Sequence, residues 1–406
     1  MCSLSRTAPP VDDSADFILA FVAMTDVLHG VTVLALEQAV AGPVATSRLA
    51  DAGARVIKLE RPEGDFARGY DDYVLGQSTY SVWTNRGKES CRVDLKKPED
   101  LALVEAMLAK ADVFLQNLAP GATDRLGLGA ARLRARHPRL IVCEISGYAP
   151  GTPDHDHKAY DLLIQAEVGL ASITGTMDSG PSRVGVSICD IATGQAAYAA
   201  ILEALLRRGR TGAGSHIQLS LFDTIADYMN VPYLTRRYGG REPPRLGLAH
   251  PSIAPYGAFH LEGGDIVLAI QSEREWRSLC AEVLAEPGLA ADPRFESNVA
   301  RVRNCAALDA HVQARLSQRR RDEVTAALER ARIAFGPVAT VTDLMTHRSA
   351  TFAPVETPGG TVELLAPPII LNGRRRALRP VARLGEQDAA LRREFLGAGS
   401  SREAAS

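Results

Sequence analysis

Residues 31–60 read VTVLALEQAVAGPVATSRLADAGARVIKLE. The first six, VTVLAL, form a short apolar run of the length and composition of a buried strand. GPVATSRLADAG (42–53) then reads as a helix, and RVIKLE (55–60) as the next strand. A strand, a helix and a second strand in so short a span predict a βαβ unit, which crosses over right-handed and pairs its strands in parallel.

The same alternation continues outward. PEDLALVEAMLAKA (98–111) is an amphipathic helix with an acidic first turn. DVFLQNL (112–118) and RLIVCEISGY (139–148) are strands, with the helical GAARLRARHP (129–138) between them. This predicts an α/β fold around a mostly parallel sheet, with ligands expected at the carboxyl ends of its strands. Near residue 236 the pattern breaks into RRYGGREPPRLGLAHPSIAPYG (236–257), which reads as a linker or binding loop. A hairpin follows over 257–270, then helices from about Glu273 to Ala331, then a return to α/β and β-rich segments. The tail from about Arg374 is basic, then polar and small, and is expected to fray.

Composition excludes several classes of function. A formal net charge of -2 offers no electrostatic footprint for nucleic acid or an anionic membrane. Six scattered cysteines with no CxxC pair suit a reducing, cytoplasmic setting and argue against a disulfide framework or zinc site. No apolar run is long enough to span a bilayer. At the start, FILAFVA (17–23) follows Asp12, Asp13 and Asp16 and lacks a basic lead. Residues 1–23 therefore read as a disordered extension, with Met24 as the functional beginning.

The familiar motifs fail one by one. GRTGAGSHIQL (209–219) lacks the GK[ST] of a P-loop and runs from helix to strand, so it reads as a helix-ending turn. No GxSxG is present, and Ser146 in EISGY reads as a strand-end hydrogen-bonder. The His155 and His157 loop lacks a full ligand set, so no metal is expected. Cys189 reads as core. Two acids remain. Asp190 follows the apolar VGVSI (184–188), read as a strand, and precedes an alanine-rich helix; Asp161 opens another buried helix. As an N-cap, Asp190 would accept a backbone N–H near Thr193. As a nucleophile, it would attack a thioester to give a mixed anhydride, kept ionised by the helix N-terminus. The residues alone leave both readings open and do not choose the thioester.

At these residues the chain resembles the class III coenzyme A transferases, the formyl-CoA and carnitine-CoA transferase family. The blocks that carry the resemblance are AGP (41–43), VIKLERPEGDFAR (56–68), NRGKESCRVDLKKPE (85–99), NLAPGATDRLGL (117–128), HKAYDLLIQA (157–166), CDIATG (189–194), RRGRTGAGSHIQLSLFD (207–223) and HPSIAPYGAF (250–259). Their order and spacing, from Met24 to about residue 395, are more specific than any block alone. The resemblance implies that Asp190 is the nucleophile and that Asp161 stands where formyl-CoA transferases carry a glutamate. It places CoA against Val40, Ala41, Arg61, Val93 to Lys96, Asn117 to Ala119, Arg125, Lys158 and Tyr160. Arg61, Lys96 and Arg125 are suited to its phosphates.

Val40 departs from the polar residue of formyl-CoA transferases, which argues against formate or oxalate as substrate. Tyr160 stands where racemases of the same fold place a His base, which favours transfer over isomerisation. KAYDLLIQAEVGLASITG (158–175) and AHPSIAPYG (249–257) look most like enzymes of C4 and C5 dicarboxylates such as itaconate, mesaconate, citramalate and succinate. His250 is then the first candidate to read the acid's distal carboxylate, with His157, Arg241 and Arg245 behind it.

The expected architecture is a Rossmann-like large domain built from both chain ends (24–224 and 341–406), with a linker and smaller α+β domain at 225–340. The resemblance adds an interlocked homodimer. CoA thioesters and a free dicarboxylic acid enter as substrates, and no permanently bound cofactor is implied. An acyl-CoA isomerase or a non-catalytic CoA-binding homologue are the alternatives.

Overall fold

A computed structural model describes residues 26–397; the expected extension at 1–23 lies outside them. Six strands form one sheet in the order β3-β2-β1-β4-β5-β6. They are β1 (Thr32–Leu36), β2 (Arg55–Glu60), β3 (Lys88–Arg92), β4 (Val113–Gln116), β5 (Ile141–Ser146) and β6 (His216–Ser220). Every neighbouring pair is parallel, with Val33 facing both Val56 and Val113. Strands covered on both faces can be apolar throughout, and Val33 to Leu36 are all buried. The order reverses direction between β1 and β4. At such a switch point ligands of open α/β sheets bind outside the carboxyl edge.

Glycine sets how closely the covering helices approach. The helix Ala41–Asp51 lies against the long helix Ile188–Thr211. A Cβ on Gly194 would fall 2.7 Å from the Ala41 carbonyl oxygen and 2.8 Å from Val44 Cβ, too close to be accommodated without a shift.

The chain divides into two compact units. The larger runs through Val168, then takes Gly185–Tyr228 and the chain from Thr351. The smaller takes Gly169–Val184 and Met229–Ala350. The sequence boundaries of 225 and 340 omit the 169–184 segment and end ten residues short, because no composition change marks either place. The smaller unit holds an antiparallel sheet of β7 (Tyr256–Leu261), β8 (Gly264–Ala269) and β9 (Ala334–Pro337). Helices between Glu273 and Ala331 close its core around Trp276 and Phe295.

Two other expectations need correction. Residues 184–188 form no strand; the place beside β5 is filled by β6. The tail does not fray up to residue 397: Asp388–Leu396 is a helix whose Leu391 is buried in the core of the larger unit. Charge complementarity holds it there. Arg55 bonds Glu394 at 2.6 and 2.7 Å, Arg392 bonds Asp100 at 2.6 Å, and Ser90 N donates to Gln387 Oε1 at 2.8 Å.

Candidate active site

The fold brings most of the expected contact residues to one edge of the sheet. Val40 and Ala41 follow β1, Arg61 follows β2, Val93 and Lys96 follow β3, and Asn117 and Ala119 follow β4. Asn117, just past β4, clamps the loop that follows β1. Its Oδ1 accepts from Gln38 N and its Nδ2 donates to Gln38 O, both at 2.8 Å. Arg61, Lys96 and Ala119 are exposed, as are Arg125, Lys158 and Tyr160. Val40 and Ala41 are 3% exposed, so it is their backbone, at the start of the helix Ala41–Asp51, that a ligand could meet.

Asp190 lies in the first turn of Ile188–Thr211, with Ser187 as the N-cap, and so is not itself the cap. The cap function comes from elsewhere in the chain. Asp161, at the first position of the helix Asp161–Glu167, accepts Cys189 N at 2.7 Å through Oδ1 and Gln165 Nε2 at 2.6 Å through Oδ2. A buried carboxylate thereby satisfies an otherwise orphaned N–H of the Asp190 helix. Burial, then the charge of Asp161, push the Asp190 carboxyl up to about 7. The helix N-terminus favours the anion, but here burial outweighs it, against the expectation that Asp190 would be held fully ionised. A carboxyl poised near neutrality can be an anion when it attacks and a competent leaving group when it is displaced.

The neighbouring thiol and hydroxyl do not compete. Burial and then Asp161 push Cys189 up to about 12, so it stays a thiol at neutral pH. Ser146 Oγ donates to Tyr148 O at 2.7 Å, the strand-end bond expected of it.

Tyrosines add a polar rim near Asp190 that sequence patterning does not mark. Tyr80 packs edge-on to Tyr70, with ring centres 5.4 Å apart, and its hydroxyl lies 3.4 Å from Ser187 Oγ. Burial, then the charges of Asp65 and Asp190, push Tyr70 up to about 12, so it remains a hydrogen-bond donor.

A buried ionic network underlies the β1 to β3 end of the edge. Lys58 Nζ donates to Asp65 Oδ2 at 2.7 Å and Asn85 Oδ1 at 2.9 Å. Lys88 Nζ donates to Glu37 Oε1 at 2.6 Å and Pro43 O at 3.0 Å, and Thr46 donates to Glu37 Oε2 at 2.6 Å. Asp65 Oδ1 accepts from Ala39 N at 3.1 Å and Ala67 N at 3.0 Å. Ala39 has a φ of 59°, a left-handed conformation that costs a residue with a side chain of order 1 kcal/mol. Asp65 thus holds an unfavourable turn beside Val40. The available sequence signal was charge inside otherwise buried strands, Lys58 and Glu60 in RVIKLE and Lys88 in KESCR.

Of the distal-carboxylate candidates, His157 belongs to the larger unit, 3.3 Å from Asp154. The others belong to the smaller unit. Arg245 is committed to backbone, donating to Thr176 O at 3.0 Å and Ser172 O at 3.2 Å. His250 stacks on Tyr256 with centroids 5.2 Å apart, and its Nδ1 accepts Ser252 N at 3.1 Å. Among the described residues no group of three or more His, Cys, Asp or Glu could hold a metal ion, and no helix is long and apolar enough to cross a membrane.

Residues 28–387 match the family described as CoA-transferase family III. The chain belongs to that family. It is 35% identical over 370 residues to an acetyl-CoA:oxalate CoA-transferase of Acetobacter aceti, covering 90% of this chain and 95% of that protein. It is 34% identical over 385 residues to a succinyl-CoA:glutarate CoA-transferase of Mus musculus, covering 88% and 87%. A CAIB/BAIF family protein from Brucella suis superimposes with a TM-score of 0.77 at 34% identity, over 91% of this chain and all (100%) of that one. An Asp-to-Ala mutant of Rv3272 from Mycobacterium tuberculosis gives 0.80 at 28% identity, over 90% and 99%. This family III CoA-transferase is therefore an enzyme whose substrates are CoA thioesters and carboxylic acids. Its parallel sheet with smaller antiparallel sheets is the α/β fold of those solved structures.

Proposed function

We propose that this enzyme moves CoA from an acyl-CoA such as succinyl-CoA to a free C4 or C5 dicarboxylic acid, with Asp190 as nucleophile. The observation that carries the reading is the half-buried Asp190 carboxyl, in the first turn of a helix, beside the charge of Asp161 and poised near neutrality. Asp190 attacks the donor's thioester carbonyl and CoA thiolate leaves, giving an aspartyl anhydride. The thiolate returns to the aspartyl carbonyl and releases the donor acid, leaving an aspartyl thioester. The acceptor carboxylate displaces CoA to form a second anhydride. CoA thiolate then takes the acceptor's acyl carbon, and Asp190 leaves as a carboxylate. Each step conserves acyl groups and needs no redox partner. The CoA phosphates fall to the exposed Arg61, Lys96 and Arg125.

Relatives named for succinyl-CoA with glutarate and with mesaconate, the latter from Haloarcula hispanica at 33% identity over 274 residues (65% of this chain, 69% of that protein), support a dicarboxylate. Val40 does not exclude oxalate. It offers almost no side-chain surface, and a relative named for oxalate matches as well. The reading includes a homodimer. The helix Asn230–Gly239 supports it, since it buries none of its own residues and exposes Tyr233 and Tyr238.

The test is purified enzyme with succinyl-CoA and a panel of free acids: glutarate, itaconate, mesaconate, citramalate, oxalate and butyrate. Mass spectrometry of the acyl-CoA products should show C4 and C5 diacids favoured. Equal use of butyrate would remove the dicarboxylate assignment.

A further inference from the structure

The smaller unit contains a cavity of about 330 Å³, at the small end of the range for metabolite sites (roughly 300–1,000 Å³). Val231, Leu246, Ala254 and Val302 supply apolar wall, while Arg241 and His250 also line it. No Asp or Glu is among the described residues that line it, so its formal charge is that of Arg241. The other polar groups are partly committed. Thr235 Oγ1 donates to Val231 O at 2.9 Å. His250 Nδ1 accepts the Ser252 amide, so the neutral imidazole carries its proton on Nε2 and can only donate there. A wall of aliphatic groups, one guanidinium and one imidazole N–H selects an anion with an apolar body. A cation would meet Arg241 unpaired, and an uncharged amide would forgo the charge-assisted bonds.

We infer that this cavity binds a short aliphatic carboxylate, its head on Arg241 and His250 and its carbon body against Val231, Leu246 and Val302. The site is a binding site in its own right.

Binding should be measured on the full chain without CoA, by calorimetric titration with glutarate, butyrate and butyramide. Both acids should bind and the amide should not. Arg241→Gln, a change at an exposed side chain, should weaken both acids about tenfold or more, with unaltered circular dichroism. Val302→Phe should do so by filling the space. Asp190→Ala should bind acids like the wild type, so loss of transfer with retained binding separates this site from the nucleophile. If Asp190→Ala kept transfer, the nucleophile assignment would fail and the cavity assignment would stand. Unchanged affinity in both Arg241→Gln and Val302→Phe would overturn the cavity assignment. So would absence of acid binding to the wild type at millimolar concentration, as when a second copy of the chain fills the space.

Discussion

Glu60 is buried and Asp190 half-buried, and the two sit on opposite sides of the ordinary carboxylate range. Burial pushes Glu60 up, but the hydrogen bonds from Arg68 and the charge of Lys58 outweigh it and bring the carboxyl to about 2. Burial also pushes Asp190 up, and there the nearby charge is another acid, so it reaches about 7. Within the network the match is only partial at Lys88, which burial lowers to about 8 although Glu37 pulls the other way. The first region matches acid with base and is built to stay as it is. The second sets acid against acid, and leaves one of them close to the pH at which it would have to change state. Reactivity here is the absence of the compensation that the neighbouring network supplies to Glu60.

The sharpest way to break this comparison is to remove the uncompensated acid. Asp190→Ala should remain folded and lose CoA transfer by several orders of magnitude, a barrier increase of more than ~5 kcal/mol. Product formation by mass spectrometry would decide it, and near-normal turnover would mean that the acid is structural after all. Next comes the matched network. Lys58→Met leaves Asp65 buried without its ammonium and should cost about 3–5 kcal/mol, read as a lower urea midpoint; a cost within error of zero would show the network to be ornamental to stability.

The third test uses pH. The folded pKa of Asp190 lies above its unfolded value of 3.8. Between roughly pH 4 and 7 the folded chain therefore holds a proton that the unfolded chain has released. That contribution to stability is complete below the unfolded value and is lost as pH rises through about 7. Asp190→Asn should thus gain on the wild type across this window, by roughly 2–4 kcal/mol at pH 8. A pH-independent gap would contradict the raised value. In turnover the sign reverses, because the attacking form is the anion: kcat/KM should climb through about pH 7, and Asp161→Asn should move that midpoint downward.

The smallest expected effect falls where the two regions meet. Gly194→Ala presses the Asp190 helix off the helix that follows Glu37, and should cost ~1–3 kcal/mol by thermal denaturation.

The sheet was legible because parallel strands advertise themselves as short apolar runs, and RVIKLE and RLIVCEIS carry that signature. VGVSI carries it too and misleads, since apolar content says nothing about whether a neighbouring strand edge is available. The tail looked polar because its helix docks through Gln387, Arg392 and Glu394, whose partners Ser90, Asp100 and Arg55 lie some 300 residues away. Asp190 could be singled out from its surroundings, but its state could not. The acid that shifts it comes from a different helix, and the bond from Cys189 N to Asp161 is a fact of packing alone. Ala39 gave no signal, since its left-handed turn is imposed by Asp65 and not by its own chemistry.

The C-terminal helix has one more consequence. During synthesis, β1 to β6 all emerge well before residues 388–396. Until those residues leave the ribosome, Leu103 and Met107 have no Leu391 to pack against, and the β3 edge has no cover. The long sequence separation of these contacts makes closure a late and slow event. For that interval the nascent larger unit leaves the β3 edge unpaired and the apolar side chains of Leu103 and Met107 uncovered, which makes it a client for a chaperone.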